Sequence, residues 1–219
     1  MLLSRLSPRA ELILINLICF GPLAWISISR MLSRETVLLY DARRLYTIAG
    51  IELVAGAIAI LILRARGWKR SDFGLRISMP LTIGGMVLFI GLNIAIATFY
   101  EAFRAISGID PASATTPLIR TTWLSFLLLL LVDPFFEEFF IVAYNIKATE
   151  ANGAAFAITL SAVIRLICHL YQGPIAALTI LPLGIVFAAV YWKWRRLWPL
   201  IVAHAVAGYF GLNPNSTLG

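Results

Sequence analysis

Residues 121–146 read TTWLSFLLLLLVDPFFEEFFIVAYNI and place two adjacent carboxylates, Glu137 and Glu138, inside a stretch that is otherwise almost wholly apolar. An ionised carboxylate at the centre of a bilayer costs about 2.5–3.5 kcal/mol on insertion scales, and two neighbouring ones also repel each other. Nothing in the folding of a membrane helix requires such a pair. The pair therefore predicts a functional site within the membrane, for which the rest of the chain supplies partners.

The whole chain has the composition of a polytopic α-helical membrane protein. Its 219 residues are 60% hydrophobic and only 13% charged, whereas soluble domains carry about 25% charged residues. No polar stretch is long enough for a second domain, so residues 1–219 are expected to form a single membrane domain. The net charge of +7 comes from lysines and arginines in short loops between apolar segments. This placement is typical of a membrane orientation signal and excludes nucleic acid as the expected partner.

Seven apolar segments are each close to the 20 or so residues that cross a bilayer. They are residues 12–29, 45–63, 80–100, 121–146, 153–171, 174–192 and 197–212. The expected fold class is all-α, a bundle of about seven transmembrane helices, with the first helix retained and not cleaved as a signal peptide. Over seven spans, eleven lysines and arginines fall on the N-terminal side and six on the opposite side. This asymmetry predicts a multi-pass protein, expected in a bacterial-type plasma membrane, with a cytoplasmic N-terminus.

Both histidines of the chain lie in apolar segments downstream of the acidic pair. Glu137, His169 and His204 are separated by 32 and 35 residues, which places them on three different segments. Helical spacing puts Asp133 on the face of Glu137 and Arg165 on the face of His169. One carboxylate and two imidazoles suit a buried site that takes a proton from water and stabilises an oxyanion. The same three groups could instead hold a zinc ion with an open coordination position.

Each of these residues also allows a structural interpretation. A single histidine in a membrane helix can hydrogen-bond a neighbouring helix, and Asp133-Pro134 can cap a helix entrance as easily as add a third carboxylate. Glu52, alone in the second segment, is interpreted as a local polar contact. The adjacent acidic pair, taken together with both histidines of the chain, favours function over packing.

The motifs around these residues resemble those of the CPBP (Abi) family, the intramembrane proteases that include the type II CAAX prenyl endopeptidases. The resemblance covers residues 132–208, within a family-like catalytic core of about 121–212. Three family motifs carry it: Glu-Glu-x-x-x-Arg, here Glu137-Glu138-Phe-Phe-Ile-Val142; Phe-x-x-x-His, here Arg165-Leu-Ile-Cys-His169; and His-x-x-x-Asn/Asp, here His204-Ala-Val-Ala-Gly208.

The resemblance implies an intramembrane endopeptidase that hydrolyses a peptide bond in a membrane-anchored or lipidated protein or peptide. It implies Glu137 as the general base on water, His169 as its partner and His204 as the oxyanion stabiliser, with Glu138 in support. The family is described both as metal-dependent and as a metal-free glutamic peptidase. No cofactor is required by the sequence, and a zinc ion would be held by Glu137, His169 and His204.

Three positions depart from the family motifs: Val142 replaces Arg, Arg165 replaces Phe, and Gly208 replaces Asn or Asp. We expect the first two replacements to be linked. The family's arginine is missing at position 142, and Arg165 would supply a cation to Glu138 from across the bundle. Gly208 has no side-chain donor, so the oxyanion would depend on His204 alone, a water or a neighbouring group.

Two other functions stay open at this stage. Val142 and Gly208 favour a non-catalytic immunity or scaffold member of the same family. The acidic pair could also act as a relay in a proton-coupled transporter, although seven spans without an internal repeat are unlike most secondary transporters.

Overall fold

The computed structural model describes residues 6–33, 37–109, 116–173, 177, 180–212 and 214. The main elements of this part of the chain are α1 (Pro8–Ser33), β1 (Val37–Asp41), α2 (Ala42–Ala65), α3 (Met79–Ser107), β2 (Thr116–Arg120), α4 (Trp123–Glu137), a π-helical segment (Glu138–Tyr144), α5 (Asn145–Thr149), α6 (Ala154–His169), α7 (Ile180–Trp194) and α8 (Trp198–Leu212). The predicted all-α bundle is confirmed. The short parallel pair of β1 and β2 was not predicted.

Four helical segments are long and apolar enough to cross a membrane by themselves: α1, α2, α3, and α6 with the turn after it. The fourth predicted segment is helical from Trp123 onward, because α4, the π segment and α5 follow one another without a gap. α7 and α8 have 15 residues each, about 22 Å, which is less than the roughly 30 Å hydrocarbon core. The protein is an integral membrane protein, whereas seven full crossings and a cytoplasmic N-terminus stay predictions. Residues 174–176, at the start of the sixth predicted segment, lie outside the described residues.

The helices begin and end where the local sequence caps them. The Asp41 carboxylate accepts a hydrogen bond from the backbone N–H of Arg44 at 2.8 Å and so caps α2. The Thr122 hydroxyl caps α4 by accepting from the N–H of Ser125 at 3.3 Å. α3 carries Pro80 in its first turn and ends at Gly108, whose φ of +70° favours glycine.

Buried Glu11 joins three elements at one end of the bundle. Its carboxylate accepts hydrogen bonds from Arg66 at 2.7 Å, from the Trp68 indole at 2.8 Å and from the Tyr144 hydroxyl at 3.4 Å. These contacts fasten the start of α1 to the end of α2 and to the π segment. A buried carboxylate is tolerated here because both of its oxygens are hydrogen-bonded.

α3 and α8 approach each other closely at Gly85. A Cβ atom at Gly85 would lie 2.6 Å from the Cβ of Val202 and 2.8 Å from the carbonyl oxygen of Pro199. Only glycine leaves room for this approach. The contact matters for function because α8 carries His204.

We expect Gly85→Ala to lower the thermal unfolding temperature, because the added methyl must displace α8 and such overpacking costs about 1–3 kcal/mol. Gly84→Ala is the matched control, since a Cβ at Gly84 would meet nothing within 4 Å. That control should be neutral or stabilising, because alanine is the better helix former by about 1 kcal/mol. Thermal unfolding of the two purified variants in detergent compares them, and equal unfolding temperatures would contradict the close approach.

Candidate active site

A cavity of about 770 Å³ brings the predicted constellation together. α4 contributes Asp133 and Glu137 to its lining, α6 contributes Arg165 and His169, and α8 contributes His204 and Gly208. Glu138 is fully buried behind this lining. The three segments that the sequence predicted to share one site therefore do so, around a cavity between the helices.

The acidic pair lies where α4 changes from α-helical to π-helical geometry. Glu137 is the last residue of α4, and Glu138 is the first of the π segment. Such π turns are rare and occur frequently at functional sites. The buried Asn145 side chain stabilises this one by donating to the carbonyl oxygens of Phe140 at 2.8 Å and Ile141 at 3.3 Å. Asn145 also exchanges hydrogen bonds with Asn16 of α1, at 2.8 and 3.1 Å.

Arg165 is a buried cation shared by the two glutamates. Its Nη1 lies 3.0 Å from Glu137 Oε2, and its Nη2 lies 2.7 Å from Glu138 Oε1. The guanidinium also lies over the Phe187 ring, 5.5 Å from the centroid. The expected contact of Arg165 with Glu138 across the bundle is present, and Arg165 binds Glu137 as well. Gly184 of α7 packs closely on α6 beside this side chain, because a Cβ there would lie 3.3 Å from the Cα of Ala162.

His204 bridges two carboxylates. Its Nδ1 lies 2.7 Å from Glu138 Oε1, and its Nε2 lies 3.2 Å from Asp133 Oδ2. Carboxylate oxygens accept hydrogen bonds, so both ring nitrogens carry protons and the ring is an imidazolium. Of the two interpretations of Asp133, the structure supports the third carboxylate, because Pro134 lies inside α4 and not at its start.

His169 has one ring nitrogen fixed and the other available. Its Nδ1 lies 2.9 Å from the backbone carbonyl oxygen of Arg165. That oxygen can only accept, so Nδ1 carries the proton and Nε2 keeps its lone pair if the ring is neutral. The ring stacks on Tyr171, with centroids 5.9 Å apart. His169 is thus a positioned hydrogen-bond acceptor at the cavity wall.

Glu52 is a member of this site that the sequence reasoning missed. It lies on α2, is 1% exposed and lines the same cavity. Asp133 and Glu137 line that cavity as well, and Glu52 Oε2 is buried without a hydrogen-bond partner among the described residues. Glu52 is therefore part of the acidic network, not an isolated polar contact. The signal was available, because any intramembrane carboxylate is a candidate functional residue.

The side chains present do not fit a metal ion. The donor atoms of Glu137, Glu138 and His204 lie within 4.8 Å of one another, and His169 is not in this group. The predicted set of Glu137, His169 and His204 is therefore not the one that converges in the described part of the chain. An ion on the convergent set would have to displace the buried Arg165 guanidinium and deprotonate the imidazolium, since metal ligands must be deprotonated.

Comparison with known protein families agrees with this geometry. The family model described as "Type II CAAX prenyl endopeptidase Rce1-like" matches residues 119–210. Over these residues the chain is similar to the Rce1-like family. The match spans the helices that carry Glu137, Arg165 and His204, and it leaves α1 to α3, with Glu52, outside. No curated protein and no solved structure matches the chain. The predicted resemblance to the type II CAAX prenyl endopeptidases is confirmed over these residues, and it supports a protease at the level of that family.

We expect Arg165→Met to destabilise the fold, because it leaves Glu137 and Glu138 buried without their shared cation. Removing one partner of a buried ion pair costs about 3–5 kcal/mol, which should appear as a lower thermal unfolding temperature in detergent. Adding Glu138→Gln should restore part of the lost stability, because it removes one of the two unpaired buried charges. Arg104→Met is the control, because its pair with Glu101 is exposed and contributes little. Simply additive losses in the double variant would contradict the shared ion pair.

Proposed function

We propose that the protein is an intramembrane endopeptidase that cleaves a peptide bond in a membrane-anchored or lipidated substrate, with Glu137 activating the water. The single observation that carries this proposal is the asymmetry of the acidic pair. Glu137 lines the cavity beside His169, whereas Glu138 is fully buried and bound to Arg165 and His204. The family match at residues 119–210 supports the same reaction class.

In the proposed mechanism, Glu137 takes a proton from a water held in the cavity. The water oxygen forms a bond to the scissile carbonyl carbon, and the carbonyl electron pair moves onto its oxygen. The proton on Glu137 then passes to the amide nitrogen as the C–N bond breaks. Arg165 holds one oxygen of Glu137 and so fixes the direction of the other, while the free Nε2 of His169 orients the water.

His204 is proposed to stabilise the oxyanion through Nε2. Its bond to Asp133 is the longer of its two, and both side chains face the cavity. An oxyanion can take this N–H in place of Asp133, while Glu138 keeps the ring in position from Nδ1. Gly208, one turn later on α8, offers no second side-chain donor. Losing such a donor lowers rates about 10²–10³-fold, so turnover is expected to be slow.

The second candidate is a non-catalytic scaffold or immunity protein of the same family. The ion pair of Arg165 with Glu137 favours it, because a bound cation stabilises the carboxylate and weakens it as a base. Gly208 favours it as well. The transporter alternative gains no support from the family match.

Glu137→Gln should abolish cleavage, by about 10²–10⁴-fold, because the amide cannot accept the proton from water. The measurement uses protein reconstituted in liposomes with a library of membrane-anchored reporter peptides. Glu101→Gln is the matched control, an exposed acid on α3, and it should retain full activity.

Three results would overturn or redirect this proposal. Reporter binding without cleavage by the unaltered protein would support the scaffold, and flux driven by a pH gradient would support the transporter. Cleavage that persists undiminished in Glu137→Gln would assign the base elsewhere.

A chelator should leave cleavage unchanged, because Arg165 occupies the carboxylates that a metal would need.

Gly208→Asn should raise the turnover rate by up to about 10²-fold by restoring a donor one turn after His204. The site has room for it, because the nearest atom to a new Cβ would be the flexible end of Leu130, at 3.3 Å. Gly208→Leu adds bulk without a donor and serves as the control. Equal rates for both variants in the liposome assay would argue against an oxyanion site beside His204.

A further inference from the structure

The cavity that holds Glu137 also holds an arginine stacked between two tyrosines. Arg44, in the first turn of α2, lies with its guanidinium carbon 5.3 Å from the ring centroid of Tyr40 and 4.9 Å from that of Tyr171. The two phenol oxygens are 3.2 Å apart, which joins the rings to each other. All three residues line the cavity. Contact with two aromatic rings restricts the orientation of the guanidinium.

The Arg44 side chain keeps hydrogen-bond donors to spare. A guanidinium has five N–H donors, and among the described residues it donates only to the carbonyl oxygen of Leu39, at 3.4 Å from Nη1. Asp41 accepts from the Arg44 backbone N–H and forms no ion pair with the guanidinium. Burial raises the pKa of Tyr40, so this phenol stays neutral. Within the described residues, the cation therefore has no anionic partner.

Arg44 is linked to the reacting groups through one aromatic ring. Tyr171 contacts the guanidinium on one side and stacks on His169 on the other. The cavity is continuous from Glu137 past His169 to Arg44. A peptide whose scissile bond lies at Glu137 would thus have a short neighbouring stretch near Arg44.

We propose that Arg44 binds the free C-terminal carboxylate of the substrate and so sets how far from the chain end the bond is cut. The inference rests on the proposed peptidase function. A planar guanidinium with free edge donors matches a carboxylate through two parallel hydrogen bonds. A lipid phosphate or an acidic side chain offers similar chemistry. The C-terminus is the better occupant, because Arg44 lines the cavity that must receive the peptide.

The test measures binding separately from cleavage, in the Glu137→Gln background and in nanodiscs of neutral lipid. Two fluorescent membrane-anchored peptides are compared, identical except for a free carboxylate or an amide at the C-terminus. The carboxylate form should bind about tenfold more tightly, as expected for a charged hydrogen-bonded pair. Arg44→Gln should bring the ratio close to one. Arg44→Lys, which keeps the charge and loses the planar fork, should give an intermediate ratio.

Arg120→Gln is the matched control, because Arg120 is an exposed cation on β2 beside Asp41 and does not line the cavity. Arg120→Gln should leave the ratio of the two affinities unchanged. If it lowers this ratio as much as Arg44→Gln does, the preference for the carboxylate comes from general charge attraction and not from Arg44. Two further arms address the other anions. An amidated peptide ending in Asp that binds as well as the free acid would overturn recognition of the chain end. Loss of the preference in anionic lipid would assign Arg44 to a headgroup.

Failure of this inference and failure of the proposed function give different results. If no peptide is ever cleaved and the carboxylate preference still depends on Arg44, the peptidase is wrong and the subsite stands. If Glu137-dependent cleavage accepts acid and amide equally, the subsite alone is wrong. Should Arg44→Gln not fold, Arg44→Lys and Tyr171→Phe decide. The first should weaken the preference, and the second, which keeps the ring, should retain it.

Discussion

The guanidinium of Arg165 compensates the charge of the carboxylates buried in this bundle. Isolated carboxylates in a low-dielectric interior are strongly disfavoured, and only close pairing with satisfied hydrogen bonds offsets the loss of hydration. Arg165 meets this condition for Glu137 and Glu138 together, and His204 meets it for Glu138 and Asp133. The same contacts join α4, α6 and α8. The site and the packing of these helices thus depend on one electrostatic network.

The cation that pairs with Glu138 comes from α6 and not from position 142, so contacts between helices hold the acidic pair in place. A cation at position 142 would lie on the same helix as Glu138, close by in sequence. Arg165 instead reaches it from α6. The orientation of Glu138 is therefore a tertiary property, and any loosening of α6 against α4 would expose the pair. Local helical structure alone could not maintain the site.

The sequence predicted those parts of the structure that depend on composition and on rare residues. Apolar runs marked the helices, and ionisable residues within them marked Glu137, His169 and His204, which line one cavity. The π segment was not predictable, because it depends on Asn145 meeting Asn16 more than a hundred positions away. Glu52 could have been recognised as a candidate because it is an intramembrane carboxylate, but its position beside Asp133 and Glu137 depends on the packing of α2 on α4. The β1–β2 pair likewise joins two short segments distant in sequence, so no local pattern indicates it.

The charges that stabilise the folded protein are also suited to the proposed reaction. When Glu137 takes a proton from water, negative charge leaves its carboxylate and appears on the substrate oxygen. Arg165 and His204 are already fixed and buried beside this path, so no reorganisation is needed to follow the charge. The ion pair that weakens Glu137 as a base in the resting state is thus offset when the charge moves to an oxyanion facing the same two cations. Catalysis and folding then make the same demand on the network: two cations held rigidly among carboxylates, with one acid left facing the cavity.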